Sequence, residues 1–431
     1  MSDEKVIATG GGLTARYALV VLAVVNAVNY MDRSVVTILF PLIKQDLSLS
    51  DTELGLIGGL AFTLFYAVMA LPMGWATDRF NRKYVISTGV LVWSLATFAS
   101  GLAGRFSTFF IARSLTGTGE ATCHPCGVSI ISDYFGPKVR TMAIAVFQMG
   151  IPLGSGLGIV LGGILAAKLG WRQTFFIYAI PGLILLPFIL FIKEPKRGAA
   201  DPLATIDQAE AQTDSFSVRV RRVLSTRSLV IQYMAALVAQ FGIQAFAVWM
   251  PTYLYRAKGV DIGTAGQIMG AAFLVGGIVG ALGGAKIADR WFQKDKTARV
   301  NVQALSIGLC IPFILVAIFS TSFWVLVPAI FLSSILAMAC YPVCSAIIID
   351  LVGPQDRGTA MALLLIVQNG IGLTLASLTV GAISDLTGSL LYGILMAPVA
   401  FFLVVLLCLV IRRHVVADMQ MIEERVGRSG V

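Results

Sequence analysis

Apolar runs of about 20 residues recur from one end of this chain to the other, and nothing else in the sequence restricts its fold as much. At a helical rise of about 1.5 Å per residue, such a run matches the thickness of a bilayer's hydrocarbon layer. Inside that layer every backbone N–H and C=O must be satisfied by the protein itself, which leaves helices or closed barrels. The runs show no apolar/polar alternation, so an outer-membrane barrel is excluded. Twelve spans can be placed, at 17–43, 53–77, 84–104, 107–133, 139–168, 172–192, 228–256, 264–288, 300–320, 323–350, 357–384 and 389–411. The expected fold class is an all-α membrane protein. Composition agrees, because only 13% of residues are charged, about half the share of a soluble protein. Forty-three glycines suit membrane helices that pack backbone to backbone.

A net charge of +9 invites a nucleic-acid reading, but the basic residues are dispersed over short loops. Twenty-three of the 32 Lys and Arg fall in the loops and tails on one side, six on the other, and Arg33, Arg113 and Lys286 lie within spans. By the positive-inside rule the richer side, which holds both termini, is cytoplasmic. A multi-pass protein of a bacterial inner membrane, monomeric and without a nucleic-acid partner, is the expectation. The polar first 16 residues have no signal-peptide cleavage pattern, so the first apolar run is expected to remain as a helix. The layout is a cytoplasmic tail (1–16), a six-helix half (17–192), a linker (193–227), a second six-helix half (228–411) and a cytoplasmic tail (412–431). In the linker, Phe216, Val220, Val223 and Leu224 sit at helical spacing among Arg219, Arg221, Arg222 and Arg227, which predicts a basic amphipathic helix on the inner membrane surface. Cys123, Cys126, Cys310, Cys340, Cys344 and Cys408 all fall in apolar segments and read as buried thiols.

The two halves repeat. IISDYFGPKVR (130–140) matches IIIDLVGPQDR (347–357) at an offset of 217, and Cys123 and Pro125 fall on Cys340 and Pro342 in the same register. Asp78-Arg79 has a counterpart in Asp289-Arg290 at a similar offset. Two six-span halves in parallel orientation, with a substrate site where they meet, form a known transporter plan.

With these motifs in place, the chain resembles the major facilitator superfamily over nearly its whole length. GWATDRFNRK (74–83) looks like that superfamily's cytoplasmic gating motif, and RSLTGTGEA (113–121) like its Arg-x-x-x-Gly-x-Gly pattern. NYMDR (29–33), DRFNRK (78–83) and GTGEA followed by IPLGSGLG (151–158) together resemble the spinster branch. That resemblance implies transport of lysophospholipids or sphingosine-1-phosphate, in several members with proton dependence. Sugar-acid and organic-anion symporters share NYxDR and a Gly-x-Gly-Glu motif, so they form the alternative. A non-transporting membrane sensor is a second alternative.

A charged side chain at the bilayer centre costs about 2.5–3.5 kcal/mol, so Asp32 and Arg33 mid-span demand a reason. Arg113, Gly117, Glu120 and His124 lie at relative positions 0, 4, 7 and 11, on one helical face. Counted from the outer ends of their spans, Arg113 lies about 9 Å deep, Asp32 about 16 Å and Glu120 about 20 Å. Asp32, Arg33, Arg113 and Glu120 are therefore expected to meet at one level as a proton-coupling and substrate-binding cluster. Asp32 and Arg33 point about 100° apart, so pairing across helices suits them better than pairing with each other. A charge-bearing first half facing an apolar second half suits an amphipathic ligand. Further cavity-lining candidates are Asn29, Tyr30, His124, Gln148, Trp249, Tyr253, Tyr341, Gln368 and Asn369. Asp78, Arg79, Arg82 and Lys83, with Asp289 and Arg290 opposite, form the candidate cytoplasmic gate. Asp133 and Asp350, at span ends, read as local caps.

Cys123-His124-Pro125-Cys126 lacks a fourth ligand and lies inside a span, so no metal is expected. GTGEAT is not followed by Lys-Ser/Thr, so it is no phosphate loop. With His414 in the tail as the only other histidine, no nucleophilic triad can be drawn and no enzyme is expected. No cofactor is expected, and a proton is the coupling ion.

Overall fold

Uninterrupted apolar sequence with few charges favours helices, and a computed structural model describes them for residues 12–200, 216–353 and 356–429. In chain order they are α1 (Leu13–Leu47), α2 (Asp51–Arg79), α3 (Arg82–Gly101), α4 (Phe106–Glu120), α5 (Cys123–Tyr134), α6 (Pro137–Gln148), α7 (Gly150–Leu169), α8 (Trp171–Leu190), α9 (Phe216–Val223), α10 (Arg227–Lys258), α11 (Ile262–Phe292), α12 (Ala298–Phe319), α13 (Phe323–Asp350), α14 (Arg357–Thr387), α15 (Leu390–Ile394) and α16 (Met396–Ser429). Among the described residues, eleven helices are long and apolar enough to cross a membrane. The twelfth expected span, 107–133, is present but divided into α4 and α5.

The division has a local cause. Pro125 has no N–H for the carbonyl of Ala121, and its ring crowds that carbonyl. Gly117 and Gly119, one turn earlier, weaken the helix further. The chain answers with a tighter turn in which the Thr122 N–H bonds the Gly119 carbonyl at 3.3 Å. In the second half, α13 runs through the equivalent Pro342 unbroken, where Ser334 and Leu336 replace the two glycines. Single π-helical turns interrupt α2 at Ile57–Ala61, α11 at Gly276–Gly280 and α14 at Ile366–Gly372.

The chain divides into two compact units, Met1–Glu210 with Leu254–Gly270, and Ala211–Tyr253 with Ala271–Val431. In the first, α1 lies along α7 because glycines leave room for it. A Cβ on Gly158 would come within 2.6 Å of the Met31 carbonyl oxygen. Segment 254–270, the end of α10 and the start of α11, belongs to this unit although the rest of both helices belongs to the other. Arg256 donates to both carboxylate oxygens of Asp51 at 2.9 Å, and Lys44 reaches the same carboxylate at 2.6 Å. Ser50 and Glu53 close a capping box around the start of α2. The six cysteines are free and buried.

In the second unit the predicted amphipathic helix forms as α9 and is tied to protein. Val223 is buried, and Arg222 pairs at 3.3 Å with the buried Asp356 at the start of α14.

Candidate functional site

Asp32 lies on the buried side of α1, 2% exposed, with Arg113 of α4 opposite it, 1% exposed. Their nearest atoms are 3.8 Å apart, close enough for attraction but too long for a hydrogen bond. Thr97 of α3 supplies the close contact by donating its hydroxyl to Asp32 Oδ2. Thr97 was not among the expected site residues, since a threonine in a span carries no charge signal. Arg113 Nε and Nη1, Asp32 Oδ1 and Asn29 Nδ2 are buried without a hydrogen-bond partner among the described residues.

Glu120 is the last residue of α4, directly before the break, and only 1% exposed. Neither carboxyl oxygen has a hydrogen-bond partner among the described residues. It lies within electrostatic reach of Asp32, Arg113 and Arg33, so the four expected groups do share one neighbourhood. The glycines before Glu120 let α4 approach its neighbours. A Cβ on Gly119 would lie 2.7 Å from the Gly89 carbonyl, and one on Gly117 would lie 2.5 Å from the Phe62 carbonyl. Past the break His124 is exposed and shares a 3.3 Å hydrogen bond with Gln148.

Arg33 departs from the expected pairing across helices. It makes no ion pair with a described residue, and its guanidinium carbon lies over three rings instead. The centroid distances are 4.6 Å to Phe62, 5.7 Å to Tyr30 and 5.8 Å to Tyr66. Such contacts partly replace hydration of the cation without neutralising it. Four charged residues thus yield one pair (Asp32–Arg113), one cation on aromatics and one unpartnered carboxyl group.

The second unit's candidates separate into two groups. Tyr341 donates to Gln240 at 2.6 Å, and Gln368 sits in the π-turn of α14 beside the partly exposed Asn369. Trp249 and Tyr253 are packing residues rather than cavity lining. Each is largely buried and donates to a carbonyl, Trp249 to Ser377 at 3.2 Å and Tyr253 to Ile318 at 3.1 Å. A large ring with one polar atom is comfortable in a core once that atom is bonded.

Near the two gate motifs, the described ion pairs form within each unit. Arg82 is 1% exposed and donates to Asp133, to Glu194 at 2.6 Å, to Ser129 at 2.8 Å and to the Pro195 carbonyl at 3.0 Å. Arg197 bonds the Thr77 and Phe80 carbonyls at the end of α2, at 2.8 and 2.9 Å. In the second unit Arg299 holds Asp350 at 2.5 Å and Asp289 at 3.0 Å. Asp133 and Asp350 are therefore ion-pair acceptors, not merely caps. Adding the repeat offset of 217 to Arg82 leads to Arg299, a signal the sequence held. Lys83 extends toward the Leu190 carbonyl at 3.4 Å, and Arg79 lies over Trp75 at 5.5 Å. Asp78 and Arg290 are exposed and make no ion pair with a described residue.

Comparison with known proteins adds a second line of observation. A family model of the Major Facilitator Superfamily matches residues 22–309. Protein spinster homolog 1 of Xenopus laevis is 30% identical over 386 residues, covering 85% of this chain and 72% of that protein. Sphingosine-1-phosphate transporter SPNS2 of Mus musculus is 30% identical over 388 residues, covering 85% and 69% respectively. Among solved structures, an inward-facing, unoccupied bacterial homolog to the human lysosomal transporter Spinster matches with a TM-score of 0.80 at 22% identity, over 96% of this chain and 98% of that one. A D-xylose–proton symporter matches with a TM-score of 0.69 at 17% identity, over 91% and 96%.

Proposed function

We propose, from the premise that this chain belongs to the spinster family of the major facilitator superfamily, that it transports an anionic amphipathic lipid of the lysophospholipid or sphingosine-1-phosphate class in exchange or symport with protons. The observation that carries the reading is Arg33, a cation in a membrane span that makes no ion pair with a described residue and lies over aromatic rings instead. A cation in a membrane span without an ion-pair partner is costly, and an anionic head group is the partner it lacks.

The carboxyl groups take different parts. Asp32 has Thr97 and Arg113 to support its charged form. Glu120 has no donor, so it is the group at which the travelling proton resides in this arrangement. With Glu120 neutral and Asp32 opposing Arg113, the site keeps one positive charge for the head group. When Asp32 takes up a proton, Arg113 is released to join Arg33 in holding the ligand. Alternating access then carries both across, with the termini placed in the cytoplasm by the Lys and Arg distribution.

The test is uptake into proteoliposomes under an imposed pH gradient, with phosphorylated lysolipids in one panel and sugar acids in another. The expected result is gradient-dependent movement of lipid, abolished or uncoupled by Asp32→Asn and by Glu120→Gln. If both variants keep pH-dependent transport, the proton assignment is wrong. If only sugar acids move, the substrate class is wrong.

A further inference from the structure

We propose that Phe62 and Tyr66 are positioning residues that fix the plane of the Arg33 guanidinium, so that the site prefers a head group offering two terminal oxygens on one phosphorus. The inference rests on the substrate class just proposed and adds which residues set it.

An arginine is useful for such an anion only when its planar fork is held in place, because two parallel N–H donors must meet two oxygens together. Carboxylates usually do the holding, but Arg33 makes no ion pair with a described residue and the rings take over. Phe62 and Tyr66 are stacked with centroids 5.6 Å apart and planes 23° apart. Together they offer a surface along one side of α2, with Phe62 at 4.6 Å from the guanidinium carbon. The Arg33 N–H groups make no hydrogen bond with a described residue, so the rings can hold the cation while its donors remain for a ligand.

Two features of the backbone present this surface. The π-turn at Ile57–Ala61 ends immediately before Phe62. One extra residue in a turn shifts every following side chain by about 100° around the axis, which sets the direction in which Phe62 and Tyr66 project. Gly117 then allows α4 to lie directly on the Phe62 carbonyl, so the ring's anchor point cannot drift. The Tyr66 hydroxyl bonds no described residue, which leaves its ring as the working part.

The experiment measures transport of sphingosine-1-phosphate in proteoliposomes for wild type, Phe62→Leu, Tyr66→Leu, their double variant, Tyr66→Phe and Arg33→Lys. The double variant is expected to raise KM about tenfold with kcat within about twofold and an unchanged pH profile, in keeping with the loss of two cation–π contacts. Arg33→Lys should behave alike, since a lysine keeps the charge and loses the fork. Tyr66→Phe should match wild type. Monodisperse elution and a wild-type melting profile identify variants that fold. A folded double variant with wild-type KM overturns the proposal, as does a Tyr66→Phe variant as impaired as Tyr66→Leu. Wild-type protein that moves no phosphorylated amphiphile refutes the substrate class, and this inference falls with it. That outcome is read in wild type alone, so the two failures are distinct.

Discussion

Arg82 and Arg299 hold equivalent places in the two repeats but differ in how far water reaches them, which makes their removal a test of burial as the controlling variable. Arg82→Gln strands Asp133 and Glu194, whose side chains are 14% and 21% exposed, around a site where the arginine itself was 1% exposed. Removing one partner of a fully buried pair costs about 3–5 kcal/mol, and partial hydration of the stranded carboxylates brings the expectation to about 3 kcal/mol. Arg299 is 17% exposed, with Asp350 at 19% and Asp289 at 64%. Asp289 is nearly a surface partner, worth about 0–1 kcal/mol, so Arg299→Gln should cost about 1.5 kcal/mol in all. The difference, about 1.5 kcal/mol, is roughly tenfold in the unfolding equilibrium. Reversible unfolding in mixed micelles, followed by tryptophan fluorescence, measures it. Asp133→Asn placed on Arg82→Gln should recover part of the loss, because it removes the stranded charge. Equal costs for the two arginines, or a larger cost for Arg299, would refute the reasoning.

Gly117→Ala places a Cβ 2.5 Å from the Phe62 carbonyl oxygen, a rigid backbone atom, so α2 and α4 must separate. The expected outcome is a loss of about 1–3 kcal/mol, seen as a lower melting temperature together with a raised substrate KM. Arg256→Gln removes one cation from Asp51, 3% exposed, and keeps its pair with Lys44. A loss of about 1–2 kcal/mol is expected, and Arg256→Lys should lose less; an unchanged melt for Arg256→Gln would count against the burial argument.

How far the sequence could be read depended on whether the signal was additive. The spans were legible because each rests on some twenty residues of hydropathy, and a misplaced residue or two changes little. The repeat offset of 217 was legible for the same reason, several identities in one register. Its extension to Arg82 and Arg299 was hidden by six extra residues in the second half. Asp78-Arg79 to Arg82 takes three residues from Arg79, while Arg290 to Arg299 takes nine. An offset judged from Asp289-Arg290 therefore fell six residues short of Arg299, at Gln293. Trp249 and Tyr253 misled in the opposite way, because an aromatic with a polar tip serves a core as well as a cavity.

The charged cluster was legible from the positions of its residues within the spans, and its internal pairing was not, for a reason specific to these residues. Sequence reveals which groups are expensive in a membrane but not which neighbour offsets each expense. For Asp32 the answer includes a threonine, and for Arg33 it is three rings, residue types that spans contain in plenty. The same holds for the break after Glu120. Pro125 alone does not cause it, since Pro342 lies inside α13 and that helix stays whole. It takes the proline together with Gly117 and Gly119, and those glycines are themselves demanded by close approach to Phe62 and Gly89. The residues that admit α4 to its neighbours are thus the ones that let it end at Glu120. One short motif thus joins the packing of α4 to the place of Glu120, and the second half has neither its glycines nor its carboxylate.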